Sequence, residues 1–130
     1  MQTLKPGVNH IEFWVSDLKQ SLKFYEPIFK AIGWSKLGET EFTSGSTVVY
    51  FVEHPANKAD VVGPRHICLQ ACTRDVVDAV GRTLTGCGAT IIRGPVQVPE
   101  YSKAYYTVDF KDPDGYILEI AHTPNMNFSS

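Results

Sequence analysis

The sequence predicts an α+β fold of two tandem βαβββ modules whose sheets pair around a concave metal or ligand cavity, and three observations predict it. The order strand, helix, three short strands occurs twice along the chain. The two copies align with His10-Ile11 over His66-Ile67, 56 residues apart, and Gly33 then falls within one position of Gly88. Neither copy is large enough to bury a core by itself, so the modules must pair, within one chain or between two. The expected organisation is a single domain over residues 1–130, with module one at about 7–54 and module two at about 64–123.

Val8 to Val15 alternates apolar and polar residues and is rich in strand formers. Ser16 or Asp17 then caps a helix whose apolar stripe is Leu18, Leu22, Tyr25, Phe29 and Ile32, with Gly33 as the stop and a kink expected at Pro27. Trp34 to Leu37, Glu41 to Thr43 and Thr47 to Glu53 read as short strands, and residues 54–60 as a connecting loop. Beyond it, Arg65 to Ala71 repeats the first strand, and Thr73 caps a helix carrying Val76, Val77, Val80 and Leu84. Ala89 to Arg93 reads as a strand, Gly94 to Lys103 as a long loop, and Ala104 to Phe110 as a strand. Asp112-Pro113-Asp114-Gly115 then reverses the chain, because Pro113 presets a turn dihedral, Asp112 can cap the turn, and Gly115 relieves its exit.

Composition narrows the partners. A formal charge of −2 with no Lys/Arg cluster lacks the basic footprint of a nucleic-acid or anionic-membrane binder. No apolar run approaches the ~18 residues of a membrane span, and the N-terminus has no signal-peptide core. Three cysteines without zinc-type pairs read as free thiols, which points to the reducing cytoplasm. A small-molecule substrate is the expected partner.

The last strand, Tyr116-Ile117-Leu118-Glu119-Ile120-Ala121, sets a glutamate among apolar residues, and a buried carboxylate needs a cation or hydrogen-bond donors. In each first strand one face is apolar, formed by Ile11, Phe13 and Val15 or by Ile67, Leu69 and Ala71. The other face carries His10, Glu12 and Trp14, or His66, Cys68 and Gln70. Two equivalent histidines and Glu119 make a facial triad that holds one divalent ion (Zn, Ni, Mn, Fe or Co) with positions left open. The alternative for each histidine is a hydrogen-bonded structural role. His54 reads as solvated loop, His122 as facing away from Glu119, and Cys68 as a small buried hydrophobe. Glu12, two residues from His10 on the same face, is a candidate catalytic base, against the alternative of a strand glutamate paired with Lys103 or Arg93.

Asn9-His10-Ile11, Val15-Ser16-Asp17-Leu18, Ser21-Leu22-Lys23-Phe24-Tyr25, Arg65-His66-Ile67 and Asp112-Pro113-Asp114-Gly115 with Glu119 together resemble the vicinal oxygen chelate superfamily. That superfamily includes glyoxalase I, fosfomycin-resistance transferases, extradiol dioxygenases and bleomycin-resistance proteins. The resemblance implies paired βαβββ modules, a metal on His10, His66 and Glu119, and a homodimer. Three positions depart from particular members: Tyr50 stands where glyoxalase I carries a carboxylate ligand, Asp109 where extradiol dioxygenases carry a tyrosine, and Glu12 where fosfomycin-resistance transferases carry a threonine. Glu53 could serve as the carboxylate ligand only through a one-residue slip of strand register.

The expected function is a metal-dependent enzyme binding vicinal oxygens of its substrate, with isomerase or lyase chemistry ahead of thiol transfer, and Glu12 and Tyr50 as catalytic candidates. The alternative is a metal-free protein that sequesters an antibiotic or other planar molecule against Trp14, Tyr50 and Tyr106.

Overall fold

The two halves of the chain each form a four-stranded sheet with one helix against it. The computed structural model describes residues 7–54 and 65–126, and the chain divides into one unit within 1–58 and a second within 59–130. The expected 54–60 loop lies outside the described residues apart from His54.

The first unit runs β1 (His10–Val15), α1 (Leu18–Ala31), β2 (Ser35–Gly38), β3 (Glu41–Thr43) and β4 (Val48–Glu53), with sheet order β1-β4-β3-β2. Asp17, the second of the two expected caps, accepts a 3.0 Å bond from the Gln20 amide, satisfying one of the donors a helix start leaves open. Pro27 lies inside α1, which nonetheless continues to Ala31. Phe13, Tyr25, Phe29, Phe42 and Phe51 are all buried. The Phe29 and Phe42 rings stack at 4.7 Å, and Tyr25 meets Phe51 at 4.6 Å. Burying each such ring contributes about 1.5–3 kcal/mol, which makes aromatic packing the chief adhesive between α1 and its sheet.

The second unit repeats the plan as β5 (Ile67–Gln70), α2 (Arg74–Gly86), β6 (Thr90–Gln97), β7 (Tyr106–Lys111) and β8 (Ile117–His122), in order β5-β8-β7-β6. Thr73 caps α2 through the Val76 amide at 3.3 Å. The core here is largely aliphatic, built on Val77, Val80, Leu84, Val108, Leu118 and Ile120 with Phe110. The parallel registers correspond residue for residue: Ile11 lies opposite Val49 and Glu12 opposite Tyr50, as Ile67 lies opposite Leu118 and Cys68 opposite Glu119. The duplication inferred from two histidines therefore extends to the hydrogen-bond ladder.

Several boundaries differ from expectation, most by a residue or two. Strand β1 begins at His10 rather than Val8, and β5 begins at Ile67, so His66 sits just before its strand. The larger difference is β6, which continues through Gly94 and Pro95 to Gln97 where a loop was expected. Glycine and proline read as breakers in sequence, but β6 is an edge strand, where proline's missing N–H can face away from the ladder. The register shifts between Arg93 and Val96 absorb the irregularity.

Gly94 adopts φ +90°, and a Cβ there would lie 2.3 Å from the carbonyl oxygen of Thr107. Gly94→Ala is expected to destabilise the protein by more than about 1 kcal/mol, because alanine meets both an unfavourable dihedral and a backbone clash. Urea unfolding checks it; an unchanged midpoint would show that β6 relaxes at no cost.

Candidate metal and substrate site

The hairpin expected from Asp112 to Gly115 fixes how β7 and β8 face each other. The Asp112 side chain accepts from the Asp114 amide at 2.9 Å and the Tyr116 amide at 2.8 Å, and Gly115 takes φ +94°. The ladder that follows pairs Asp109 with Glu119 and Thr107 with Ala121. Alternation then directs Leu118 and Ile120 toward the core and puts Glu119 on the opposite face, with Thr107 and Asp109.

Glu119 is only 4% exposed. Its Oε2 accepts from the Tyr105 hydroxyl at 2.5 Å and from Thr107, which is fully buried, at 2.7 Å. The other oxygen, Oε1, lies 3.3 Å from Nε2 of His66. Two hydroxyl donors thus hold one side of the carboxylate and orient the other toward the imidazole. Asp109 continues the network by pairing with Arg93 at 2.9 Å. Desolvation and then the nearby Glu119 raise its carboxyl above the usual range, against the pull of Arg93. Burial, followed by the bond to Glu119, pushes the Tyr105 phenol far up, so it stays a donor. Cys68, expected as a small buried hydrophobe, is instead exposed. Its thiol is nevertheless pushed up to about 12, by desolvation first and then by Glu119 and Asp109, which leaves it a protonated and poor nucleophile.

On the first module, Glu12 accepts from the Tyr50 hydroxyl at 2.7 Å and from the Trp14 indole N–H at 2.6 Å. These bonds, Tyr50 first, hold its carboxyl below the ordinary value, while the Tyr50 phenol is raised by the same contact. His10 Nδ1 lies 2.8 Å from the side-chain oxygen of Asn9, and its ring is 5.8 Å from that of Tyr50.

Of the predicted residues, His66 and Glu119 meet within the second module, and Glu12 and Tyr50 meet within the first, where His10 also stands. Among the described residues no group of three or more His, Cys, Asp or Glu side chains gathers as a metal cluster. Several expectations change. Arg93 pairs with Asp109 rather than with Glu12. His54 is an exposed residue just past β4, as expected, but its amide bonds the Val15 carbonyl and its ring stacks on Trp14 at 4.0 Å. Glu53 accepts from the Leu18 amide at the start of α1, away from the Tyr50 face. Tyr106 cannot be a ligand platform beside Glu119. Alternation turns it toward α2, where its hydroxyl bonds Asp78 at 2.5 Å under the Arg74 guanidinium. His122 does lie on the face opposite Glu119, near the Ala71 carbonyl.

Tyr105 and Thr107 are the functional residues that the sequence reading missed. The signal was available for Thr107: extending the ladder back from the Asp-Pro-Asp-Gly turn places it diagonal to Glu119 on the same face. Thr107→Val preserves shape but leaves the buried carboxylate with one hydroxyl donor, which should cost about 1–3 kcal/mol. Denaturant unfolding measures this directly, and a loss below ~0.5 kcal/mol would show that the hydroxyl does not hold Glu119.

Residues 7–120 match the family model described as the Glyoxalase/Bleomycin resistance protein/Dioxygenase superfamily. The chain is 33% identical over 125 residues to Metallothiol transferase FosB of Shouchella clausii, covering 92% of this chain and 82% of that protein. Among solved structures, a glyoxalase/bleomycin resistance protein of Albidiferax ferrireducens superposes with a TM-score of 0.68 at 19% identity, over 89% of this chain and 98% of the other. Lactoylglutathione lyase of Agrobacterium tumefaciens gives 0.66 at 18% identity, over 96% and 99%. The structures, at that identity, speak for the fold of paired βαβββ repeats. With the family match over nearly the whole chain, the protein belongs to the glyoxalase, bleomycin resistance and dioxygenase superfamily.

Proposed function

We propose that the protein is a divalent-metal-dependent enzyme acting on a small molecule through vicinal oxygens, with thiol transfer now ahead of isomerase or lyase chemistry. The observation that carries the metal reading is the convergence of His66 Nε2 and Glu119 Oε1 at 3.3 Å, with Oε2 already tied by Tyr105 and Thr107. An imidazole and a pre-oriented carboxylate oxygen are a donor set that fits a divalent ion, and the hydroxyls behind Glu119 are the kind of support such ligands use. His10, the duplication's counterpart of His66, is proposed as the third ligand. The relative named a metallothiol transferase is what moves thiol transfer forward.

A bound ion would supply Lewis-acid polarisation of substrate oxygens. The chain's own residues have separate tasks within the proposal. The Tyr50 hydroxyl touches and orients the substrate. Glu12 keeps that hydroxyl in place and presents a charged carboxylate to the substrate. Cys68, with its raised thiol, is not the sulfur donor, so the thiol comes from a second small molecule. Three free cysteines fit a reducing cytoplasm, and a homodimer completes the proposal. No described helix is long and apolar enough to cross a membrane.

Elemental analysis of protein purified without added metal tests the reading. It is joined to an assay of thiol consumption with small electrophiles bearing adjacent oxygens. One ion per chain and chelator-sensitive thiol loss are expected; a metal-free protein that still retains ligands would establish sequestration instead. His66→Ala should lower divalent metal affinity at least about tenfold with the fold intact, as removal of one ligand strips the chelate. Circular dichroism and equilibrium dialysis read the two quantities, and unchanged metal content would remove His66 from the site. Tyr50→Phe should retain metal and lose turnover; if it loses metal instead, Tyr50 is a ligand.

A further inference from the structure

Tyr105 orients Glu119 from just outside β7, so strand pairing by itself does not fix its ring. The residue before it, Ala104, takes φ +62°, a left-handed conformation uncommon outside glycine. Three backbone bonds close the loop that carries them: the Val98 amide donates to the Tyr105 carbonyl at 2.9 Å, Tyr101 to Val98 at 3.1 Å, and Tyr105 to Ser102 at 3.2 Å. Asn125, beyond β8, donates to the Lys103 carbonyl at 2.8 Å and ties the loop down from outside. The side chain that this loop sets against Tyr105 is Tyr101.

Tyr101 is 57% exposed, so burial of its own surface does not account for where its ring sits. Its contacts do. The ring meets that of Tyr105 edge to face, at 5.1 Å and 85°. The Arg93 guanidinium lies 5.5 Å from the Tyr101 ring centre and donates to its phenol oxygen. Arg93 in turn bonds Asp109 at 2.9 Å, and its buried Nε has no protein partner, so Asp109 and Tyr101 are what brace the guanidinium. Asp109 Oδ1 lies 3.4 Å from Thr107 Oγ1, which donates to Glu119. The contacts therefore run from Glu119 through Tyr105, Tyr101, Arg93, Asp109 and Thr107 back to Glu119, a closed circuit.

Within that circuit Tyr105 has one way to fail. A phenol oxygen lies on the axis about which its ring flips, so a flip leaves it in place, and only a swing about χ1 carries it off the carboxylate. Val98 and Ala121 share a buried cluster with Tyr105. Tyr101 adds the contact from the loop, and an edge-to-face pair resists such a swing beyond the area it buries.

We propose that Tyr101 is a positioning residue for the metal site: braced by Arg93, it locks the Tyr105 phenol on Glu119 Oε2 and so keeps Oε1 turned toward the ion. The lock stands on contacts within the second module; its effect on a bound ion rests on the metal reading above.

Chelator-treated protein is examined by proton NMR for a downfield hydroxyl resonance that is absent from Tyr105→Phe, the signature of the Tyr105 bond to Glu119. In Tyr101→Ala that proton should exchange with water at least about tenfold faster, because Tyr105 can then open locally. Tyr101→Phe keeps the ring edge and should stay within about twofold of the unaltered protein. Arg93→Met reaches the same ring from its other contact and should speed exchange as Tyr101→Ala does, which also serves if Tyr101→Ala fails to fold. With zinc added, competition against a chromophoric chelator should show affinity about tenfold lower in Tyr101→Ala and restored in Tyr101→Phe, at an unchanged unfolding midpoint. His66→Ala should lose zinc while the hydroxyl resonance keeps its dependence on Tyr101, so a failed metal site and a failed lock give different results. No downfield resonance in the unaltered protein, a resonance indifferent to Tyr101→Ala or to Arg93→Met, or a Tyr101→Phe variant as damaged as Tyr101→Ala would each overturn the lock. Faster exchange in Tyr101→Ala with zinc affinity unchanged would overturn its part in the metal site.

Discussion

A buried carboxylate that keeps a single orientation is the constraint on which the second module depends. Glu119 sits at 4% exposure on a strand whose neighbours are apolar, a position that would cost several kcal/mol for an unpaired charge. Tyr105 and Thr107 offset that cost by donating to the same oxygen, and the effect is directional as well as energetic. With Oε2 occupied, Oε1 is the atom left to meet His66. Burial first, and then the neighbouring Glu119, raises the phenol of Tyr105 and the thiol of Cys68.

The two modules share a ladder and differ in what it carries. The pair Cys68 and Glu119 in one module corresponds to Glu12 and Tyr50 in the other, so the carboxylate has changed strands between copies. In the second copy the carboxylate is buried and satisfied by hydroxyls, whereas in the first it is exposed and bonded to a phenol and an indole. Duplicated backbone geometry with unequal side chains gives two chemically distinct faces. Packing shows the same divergence: the first core is largely aromatic and the second largely aliphatic.

Family membership limits the reaction without choosing it. A thiol transferase relative at 33% identity and a lyase that shares the fold at 18% both use this architecture. The distinguishing positions here are Tyr50, Glu12 and Asp109. Tyr50 is engaged with Glu12 and Asp109 with Arg93, so neither is an idle remnant of another member's site.

Period-two alternation, helical stripes and the Asp-Pro-Asp-Gly turn by themselves determined the two modules, a cap at Ser16 or Asp17, the cap at Thr73, and the opposed faces of β1, because each follows from local backbone geometry and residue type. Glu119 was legible for the same reason, as a charge where alternation wants a hydrophobe. Only the tertiary structure decided which hydroxyls hold it, because Tyr105 and Thr107 are common strand residues until the β7–β8 register brings them to one oxygen. It also decided that Tyr106 faces α2, that His54 stacks on Trp14, that Arg93 belongs to Asp109, and that β6 passes through Gly94 and Pro95. In each case the partner comes from another strand or helix, and a contact set by pairing between elements is not written in the local pattern of either one.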